Sequence, residues 1–291
     1  MCGIVGAVAQ RDVAQILLEG LKRLEYRGYD SAGMAIIGAQ EPDIQRLRVM
    51  GKVTKLAESL QKNPLLGNVG IAHTRWATHG QPSTANAHPH CSANEVAVVH
   101  NGIIENHEAL RKRLVELGYQ FQSETDSEVI AHLIHYNAQH YPDLLAAIRQ
   151  TTAELHGAYA LGIVTASNPH NLYVARRGSP LVIGVGIGEN FIASDPLALL
   201  PVTQKFIYLE EGDVAQMATN QLTIYDVNNN EIKRKVHTTK IDDGTTTKGF
   251  VHRKGATRAF PAGHPDLKNT KWFKTGHPCL IPGSMYDGAA I

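Results

Sequence analysis

Cys2-Gly-Ile-Val-Gly-Ala-Val-Ala9 is an unbroken run of small and apolar residues behind a cysteine, and Gln10-Arg11-Asp12 ends it. Residues 3–9 therefore read as a short buried strand. Asp12 is placed to cap a following helix, whose apolar stripe of Val13, Ile16, Leu17, Leu21 and Leu24 predicts an end near Gly28. Outward from there come a strand at Met34-Ala-Ile-Ile37, a short helix carrying Val53, Leu56 and Leu60, and a strand at Gly70-Ile-Ala-His73. A polar loop rich in glycine, proline and histidine then runs from Thr74 to about Asn94. Glu95-Val-Ala-Val-Val-His100 is strongly strand-like, and Asn101-Gly102 predicts that it stops in a turn. Helical patterns at 106–117, 127–137 and 142–155 give way, from Ala158, to short strands near 158–165, 171–176, 181–186, 190–193, 213–217 and 221–225. Groups of strands flanking helices, without regular alternation, give an α+β class with sheets covered by helices.

The 291 residues, 43% of them hydrophobic, suffice for one large core or two ordinary ones. With 28 Lys and Arg against 27 Asp and Glu the formal net charge is +1, which implies no chain-wide attraction to nucleic acid or anionic membrane. The longest apolar stretches, such as 158–164 and 181–188, fall far short of the ~20 residues of a membrane-spanning helix. The N-terminus lacks the basic segment of a secretory signal, and Cys2, Cys91 and Cys279 make no disulfide framework, so a soluble, cytoplasmic protein is expected. Near residue 240 the pattern changes. Asp242-Asp243-Gly244 and the threonines 245–247 form a polar hinge, beyond which periodicity is lost and Lys248, Arg253, Lys254, Arg258, Lys268, Lys271 and Lys274 face Asp266. The expected organisation is a domain over 1–240 and a poorly packed appended tail over 241–291.

Four places could carry chemistry. Cys2 is either a small residue opening a strand or, once Met1 is removed, a thiol on the residue that also bears the α-amine. That amine, with a pKa of ~7.7–8.0, could take the thiol proton directly or through a water. The loop His73-Thr-Arg-Trp-Ala-Thr-His79-Gly80 suits an α-amino acid: Arg75 offers a planar fork for a carboxylate, Thr78 a hydroxyl, and Trp76 an apolar surface to close over a site. Its alternative is a structural ion pair at Arg75 and a core tryptophan. Asn101-Gly102 is either an ordinary turn or a side-chain amide and a backbone N–H converging as an oxyanion hole. In Ser123-Glu-Thr-Asp126-Ser127-Glu128 one hydroxyl or carboxylate should cap the next helix, leaving Asp126 able to hold an ammonium. His88-Pro89-His90-Cys91 lacks the further spaced pair a zinc site needs, so no metal and no cofactor are expected.

Taken together, Cys2-Gly-Ile-Val-Gly6, Leu24-Glu-Tyr-Arg-Gly-Tyr-Asp-Ser-Ala-Gly33, the 73–80 loop, Asn86-Ala-His-Pro-His90, His100-Asn-Gly-Ile-Ile-Glu-Asn106 and Glu124-Thr-Asp126 resemble the class-II glutamine amidotransferase (glutaminase) domains of the glutamine:fructose-6-phosphate aminotransferase branch. The match runs over roughly 1–240. It implies an N-terminal-nucleophile hydrolase fold, a four-layer αββα sandwich with antiparallel sheets. It also implies that Cys2 attacks the amide of L-glutamine and that Asn101 and Gly102 stabilise the oxyanion. Arg75 then holds the substrate carboxylate, Asp126 its ammonium, and Trp76, Thr78 and His79 line the loop over them. Gly178-Ser-Pro-Leu181 and Ala193-Ser-Asp195 resemble later parts of the same domain. The sugar-isomerase domains of that branch have no counterpart in these residues, which leaves a separate isomerase subunit as a possible partner for making glucosamine 6-phosphate.

Gly249–Phe260 and Leu280-Ile-Pro-Gly-Ser-Met285 resemble a fragment of the GTP- and manganese-dependent tRNA-splicing RNA ligases, without that family's metal ligands or guanylate-accepting histidine. A fusion or truncation product is the preferred account of this tail. The alternatives to a glutamine-hydrolysing enzyme are a non-catalytic glutamine-binding or regulatory subunit, and RNA binding through the basic tail.

Overall fold

The computed structural model describes residues 2–38, 41–76 and 80–239, and the backbone of strands at 249–253, 256–260 and 280–281. The chain divides into two compact units, Met1–Ile241 and Asp242–Ile291. The first unit begins with β1 (Gly3–Ala9), α1 (Ala14–Arg23), β2 (Ser31–Ile37), β3 (Ile44–Met50), α2 (Val53–Lys62) and β4 (Val69–Arg75). β5 (His90–Ser92), β6 (Val96–Ile104), α3 (His107–Glu116), α4 (Glu128–Ala138) and α5 (Leu144–Glu154) follow. Strands complete it: β7 (Gly157–Thr165), β8 (Leu172–Arg177), β9 (Val182–Val185), β10 (Glu189–Ala193), β11 (Lys205–Tyr208), β12 (Val214–Met217), β13 (Leu222–Tyr225), β14 (Glu231–Ile232) and β15 (Val236–Thr238).

Eight strands, in the order β15-β11-β9-β10-β1-β4-β2-β3, make one sheet, and β14-β13-β12-β8-β7-β6-β5 make the other. β1 is central to the first, antiparallel to both β10 and β4. Its continuous apolar run follows from burial on both faces. Val5, Ala7 and Ala9 pack with Leu17 and Leu21 of α1, whereas Ile4 and Val8 pack with Ala97, Val99 and Val164 of the facing sheet. Gly6 lies on that inner face, where an added Cβ would come 2.7 Å from the side chain of Ile192, its cross-strand partner on β10, and 3.2 Å from Leu172 of the facing sheet, so even alanine there would displace these neighbours. A third cluster joins Val96 and Val98 of β6 to Val129, Ile130, Leu133 and Ile134 of α4. The four layers are thus helices, sheet, sheet, helices. Each fully buried aliphatic side chain in them contributes roughly 1.5–3 kcal/mol.

Period-two alternation fixes what points between the sheets. On β4, Ile71 packs in the inter-sheet cluster and Ala72 in the helix-side one, so His73 and Arg75 also face inward. On β6, Ala97 and Val99 face inward, and Asn101 continues that face. Cys2 extends the inner face of Ile4. Three neighbouring strand ends therefore project chemistry-bearing side chains into one end of the sandwich.

Several expectations need correction. The turn expected at Asn101-Gly102 is absent: β6 runs on to Ile104, with Asn101 opposite Ala160 and Gly102 opposite Tyr159 of β7, so cross-strand pairing overrides the local turn preference. The helix expected to reach Gly28 ends at Arg23, and a single 3₁₀ turn, Glu25–Arg27, leads to Gly28. No side chain of 123–128 caps α4. Glu128 instead accepts the N–H groups of Gln122 and Ser123, and Asp126 that of Ile104. β3 gives little sequence signal because it is an edge strand, half-buried along its whole length. In the second unit, Gly249–Arg253 and Ala256–Phe260 pair antiparallel and Leu280–Ile281 adds in parallel, where no periodicity was expected. The signal is two five-residue runs separated by Lys254-Gly255.

Candidate functional site

A cleft of about 620 Å³ opens at the end of the sandwich where β1, β4 and β6 converge. Cys2, Arg75, Trp76, Asn101, Gly102 and Asp126 all line it. Thr78 and His79 lie outside the described residues. A second cavity, of about 660 Å³, is lined by Arg149, Arg177 and Glu211 among others and contains none of the residues singled out from the sequence.

The Trp76 backbone N–H donates to Cys2 Sγ at 3.2 Å, and Sγ lies 3.6 Å from the Trp76 carbonyl. Burial pushes the Cys2 thiol above its ordinary pKa, so at neutral pH it is protonated and needs a base to become a nucleophile. The Asn101 Nδ2 donates to the Cys2 carbonyl at 3.2 Å, which holds this amide against the nucleophile's own residue. Gly102 has φ +136°, and a Cβ there would come 2.0 Å from the Ala158 carbonyl, so only glycine keeps β6 paired at this point.

Arg75, the last residue of β4, is buried. Its Nη2 donates to the Gly80 carbonyl at 3.2 Å and its Nη1 lies 3.8 Å from Asp30 Oδ1. The structural ion pair and the cleft position thus coexist. Trp76 is 54% exposed and is no core residue; its indole lies over Gly28, where a Cβ would come 2.6 Å from the ring. Asp126 is buried, with Oδ2 accepting the Ile104 N–H at 2.8 Å and Oδ1 the Ser127 hydroxyl at 3.3 Å. A carboxylate already holding two donors is fixed in direction and still has acceptor capacity for a cation.

Residues with no individual role in the sequence reading complete the site. Arg27 Nη1 donates to the Cys2 carbonyl at 3.3 Å while Nη2 donates to Asp195 Oδ2 at 2.7 Å. Tyr26 donates to the same Asp195 oxygen at 2.9 Å, and Ser194 Oγ accepts the Ile4 N–H at 3.0 Å. These groups clamp the chain at the Cys2 carbonyl and at Ile4. Their segments stand in the quoted motifs, but a partnership across 168 residues has no local signature. Beneath the cleft lie four buried histidines, His73, His88, His90 and His100. Burial pushes His73 and His90 down to about 3 and His88 and His100 below their ordinary value, so all four are neutral at pH 7. Among the described residues, no group of three His, Cys, Asp or Glu side chains is arranged to hold a metal ion.

Comparison with known proteins bears on this cleft. A family described as "Glutamine amidotransferase domain" matches residues 73–201. The glutamine–fructose-6-phosphate aminotransferase [isomerizing] of Legionella pneumophila (strain Paris) is 56% identical over 249 residues, 86% of this chain and 41% of that protein. The chain carries a glutamine amidotransferase domain. The enzyme of the same name from Haemophilus influenzae is 56% identical over 289 residues, 99% of this chain and 47% of that protein. The chain therefore spans less than half the length of these relatives. The amidotransferase domain also superposes on glutamine phosphoribosylpyrophosphate amidotransferase from B. subtilis, solved with ADP and GMP. The TM-score is 0.68 at 26% identity, over 79% of this chain and 50% of that one. Its four layers are the N-terminal-nucleophile hydrolase sandwich. A second family, tRNA-splicing ligase RtcB, matches residues 202–291. That match begins inside the first unit, since β11 to β15 pair into the two sheets of the amidotransferase domain.

Proposed function

We propose that this chain hydrolyses L-glutamine to glutamate and ammonia through a thioester on Cys2. The observation that carries the reading is the convergence of Cys2, Arg75, Asn101 and Asp126 from β1, β4, β6 and the segment before α4 on one cleft. The protonated thiol needs a base. The buried histidines have lost their basicity, so that role falls to the Cys2 α-amine once Met1 is removed. The amine takes the thiol proton as Sγ attacks the glutamine side-chain carbonyl. The Asn101 Nδ2 and the Gly102 N–H meet the negative charge on the oxygen. The same proton then goes to the departing nitrogen, ammonia leaves, and water, deprotonated by the amine, opens the thioester.

Arg75 takes the substrate carboxylate and Asp126 its ammonium, two charges at fixed spacing that select an α-amino acid. Trp76, with Thr78 and His79, covers the bound substrate. The names of the relatives support ammonia transfer to fructose 6-phosphate, giving glucosamine 6-phosphate. Those relatives extend beyond the length they share with this chain, so we assign that step to a sugar-isomerase part, on a longer chain or a separate subunit. A cytoplasmic location fits such biosynthesis; among the described residues no helix is long and apolar enough to cross a membrane. We read 241–291 as an appendage to the 1–240 domain, a reading supported by the division of the chain at Ile241 and Asp242.

The test is glutamate release from glutamine by the purified chain, with intact mass reporting the state of Met1. Release by the processed chain and none by a chain retaining Met1 is expected. Full activity with Met1 in place would overturn the amine as base.

A further inference from the structure

An oxyanion donor works only if it is aimed before the charge appears, and an asparagine amide can be turned either way. His73 Nε2 lies 3.1 Å from the His100 backbone carbonyl and 2.9 Å from the Asn101 side-chain oxygen. The carbonyl can only accept, so Nε2 must carry the ring proton. Whatever atom of Asn101 faces a ring N–H must also be an acceptor, and that atom is Oδ1. Turning the amide over would set its NH₂ group against the ring N–H of a fully buried histidine, leaving two donors facing each other. The other ring nitrogen, Nδ1, has no hydrogen-bond partner among the described residues, as expected of the unprotonated nitrogen of a neutral ring. His73 is itself held by β4, opposite Ile4 of β1 and Gly33 of β2, and its ring centroid lies 4.1 Å from that of His88, with the two planes tilted by 42°.

We propose that His73 is a positioning residue for Asn101. The backbone carbonyl of His100 sets the His73 tautomer, the ring N–H holds Asn101 Oδ1 inward, and Nδ2 is left facing Cys2. One Nδ2 hydrogen is used by the Cys2 carbonyl and the other serves the oxyanion. The inference rests on the assignment of Asn101 to the oxyanion made above, but the ring–amide contact stands without it.

The test compares the processed chain with His73→Leu, His73→Gln, Asn101→Ala and the double variant His73→Leu/Asn101→Ala. Glutamine's Nε2 occupies nearly the place of the histidine Nε2 and offers the same donor. His73→Leu is expected to lower kcat by about ten- to a hundredfold with KM within about threefold, the mark of an interaction felt in the transition state. His73→Gln is expected to recover most of that loss. In the double variant the loss beyond Asn101→Ala alone should be less than about twofold, because both changes remove one coupled unit. An undiminished effect of His73→Leu in the Asn101→Ala background, or a Gln variant as poor as Leu, would overturn the proposal. Independently of activity, long-range ¹H–¹⁵N NMR should find the proton of His73 on Nε2. A proton on Nδ1 would overturn it even if every variant loses activity. If the processed wild-type chain releases no glutamate, the glutaminase reading fails, and the NMR tautomer still decides the His73–Asn101 contact. Should His73→Leu fail to fold, the Gln variant and the NMR measurement carry the decision.

Discussion

Beneath the Cys2 cleft, His73, His88, His90 and His100 are each 5% exposed or less, whereas Trp76 and Ile103 at its rim are 54% and 44% exposed. Ordinary globular packing would reverse this, burying the large apolar side chains and leaving the ring nitrogens to water. Three of these four rings are tied by direct hydrogen bonds to backbone and side chains: His73 to the His100 carbonyl and Asn101, His90 to Thr125 and His100 to Ser127, while His88 is held by ring contacts with His73 and His90. Groups held that way do not reorient when charge develops next to them, which is what transition-state stabilisation asks of a site. The apolar rim has the complementary property of shedding water over whatever the floor holds.

The contrast is broken most completely at the nucleophile. Cys2→Ala should reduce glutamate release to background while leaving the thermal transition in place, because the residue contributes only a small side chain to packing. Arg75→Ala should lower kcat/KM by on the order of 2–5 kcal/mol, since a buried charge partner is lost, and Arg75→Lys should restore only part of it, lacking the planar fork. An unchanged kcat/KM would remove Arg75 from the site. Asn101→Ala is expected to cut kcat by about 10²- to 10³-fold with a smaller change in KM. A defect confined to KM would reassign Asn101 to substrate positioning.

The floor also sets an acid limit. His73 and His90 have folded-state values of about 3 against about 6.5 in an unfolded chain, so below pH 6.5 the unfolded state binds more protons. Stability is complete above that value and declines as the pH falls toward 3. Each such histidine adds a slope of up to about 1.4 kcal/mol per pH unit. Thermal unfolding followed between pH 7.5 and 5 should show this decline; a flat profile would mean that the histidines are not held neutral. The rim should matter least: Trp76→Ala is expected to cost less than about tenfold in kcat/KM, about 1.4 kcal/mol at most. A loss as large as that of Asn101→Ala would move Trp76 from cover to floor.

Cys2, Arg75 and Asn101 were legible one by one from the chemistry of their segments and from the motifs that carry the resemblance. That they share one inner face follows from strand alternation only because β4 reaches Arg75 and β6 runs on to Ile104, beyond the strands read at 70–73 and 95–100. The exception at Gly102 was a matter of competition: the Asn-Gly preference for a turn is local, whereas the nine-residue pairing of β6 with β7 is not. The Arg27–Asp195 clamp, the His73–Asn101 contact and the half-exposed β3 depend on partners brought together only by the fold. They carry no periodic or motif signal of their own.

The position of residue 202 has a practical consequence for anyone cutting the gene. A boundary placed there, where one family match ends and another begins, would remove β11 and β15 from one sheet and β12 to β14 from the other. β9 and β8 would each lose a neighbour along their length and present a row of unsatisfied N–H and C=O groups to solvent. Such open edges are templates for intermolecular pairing, and a fragment ending at 201 should self-associate into β-rich aggregates.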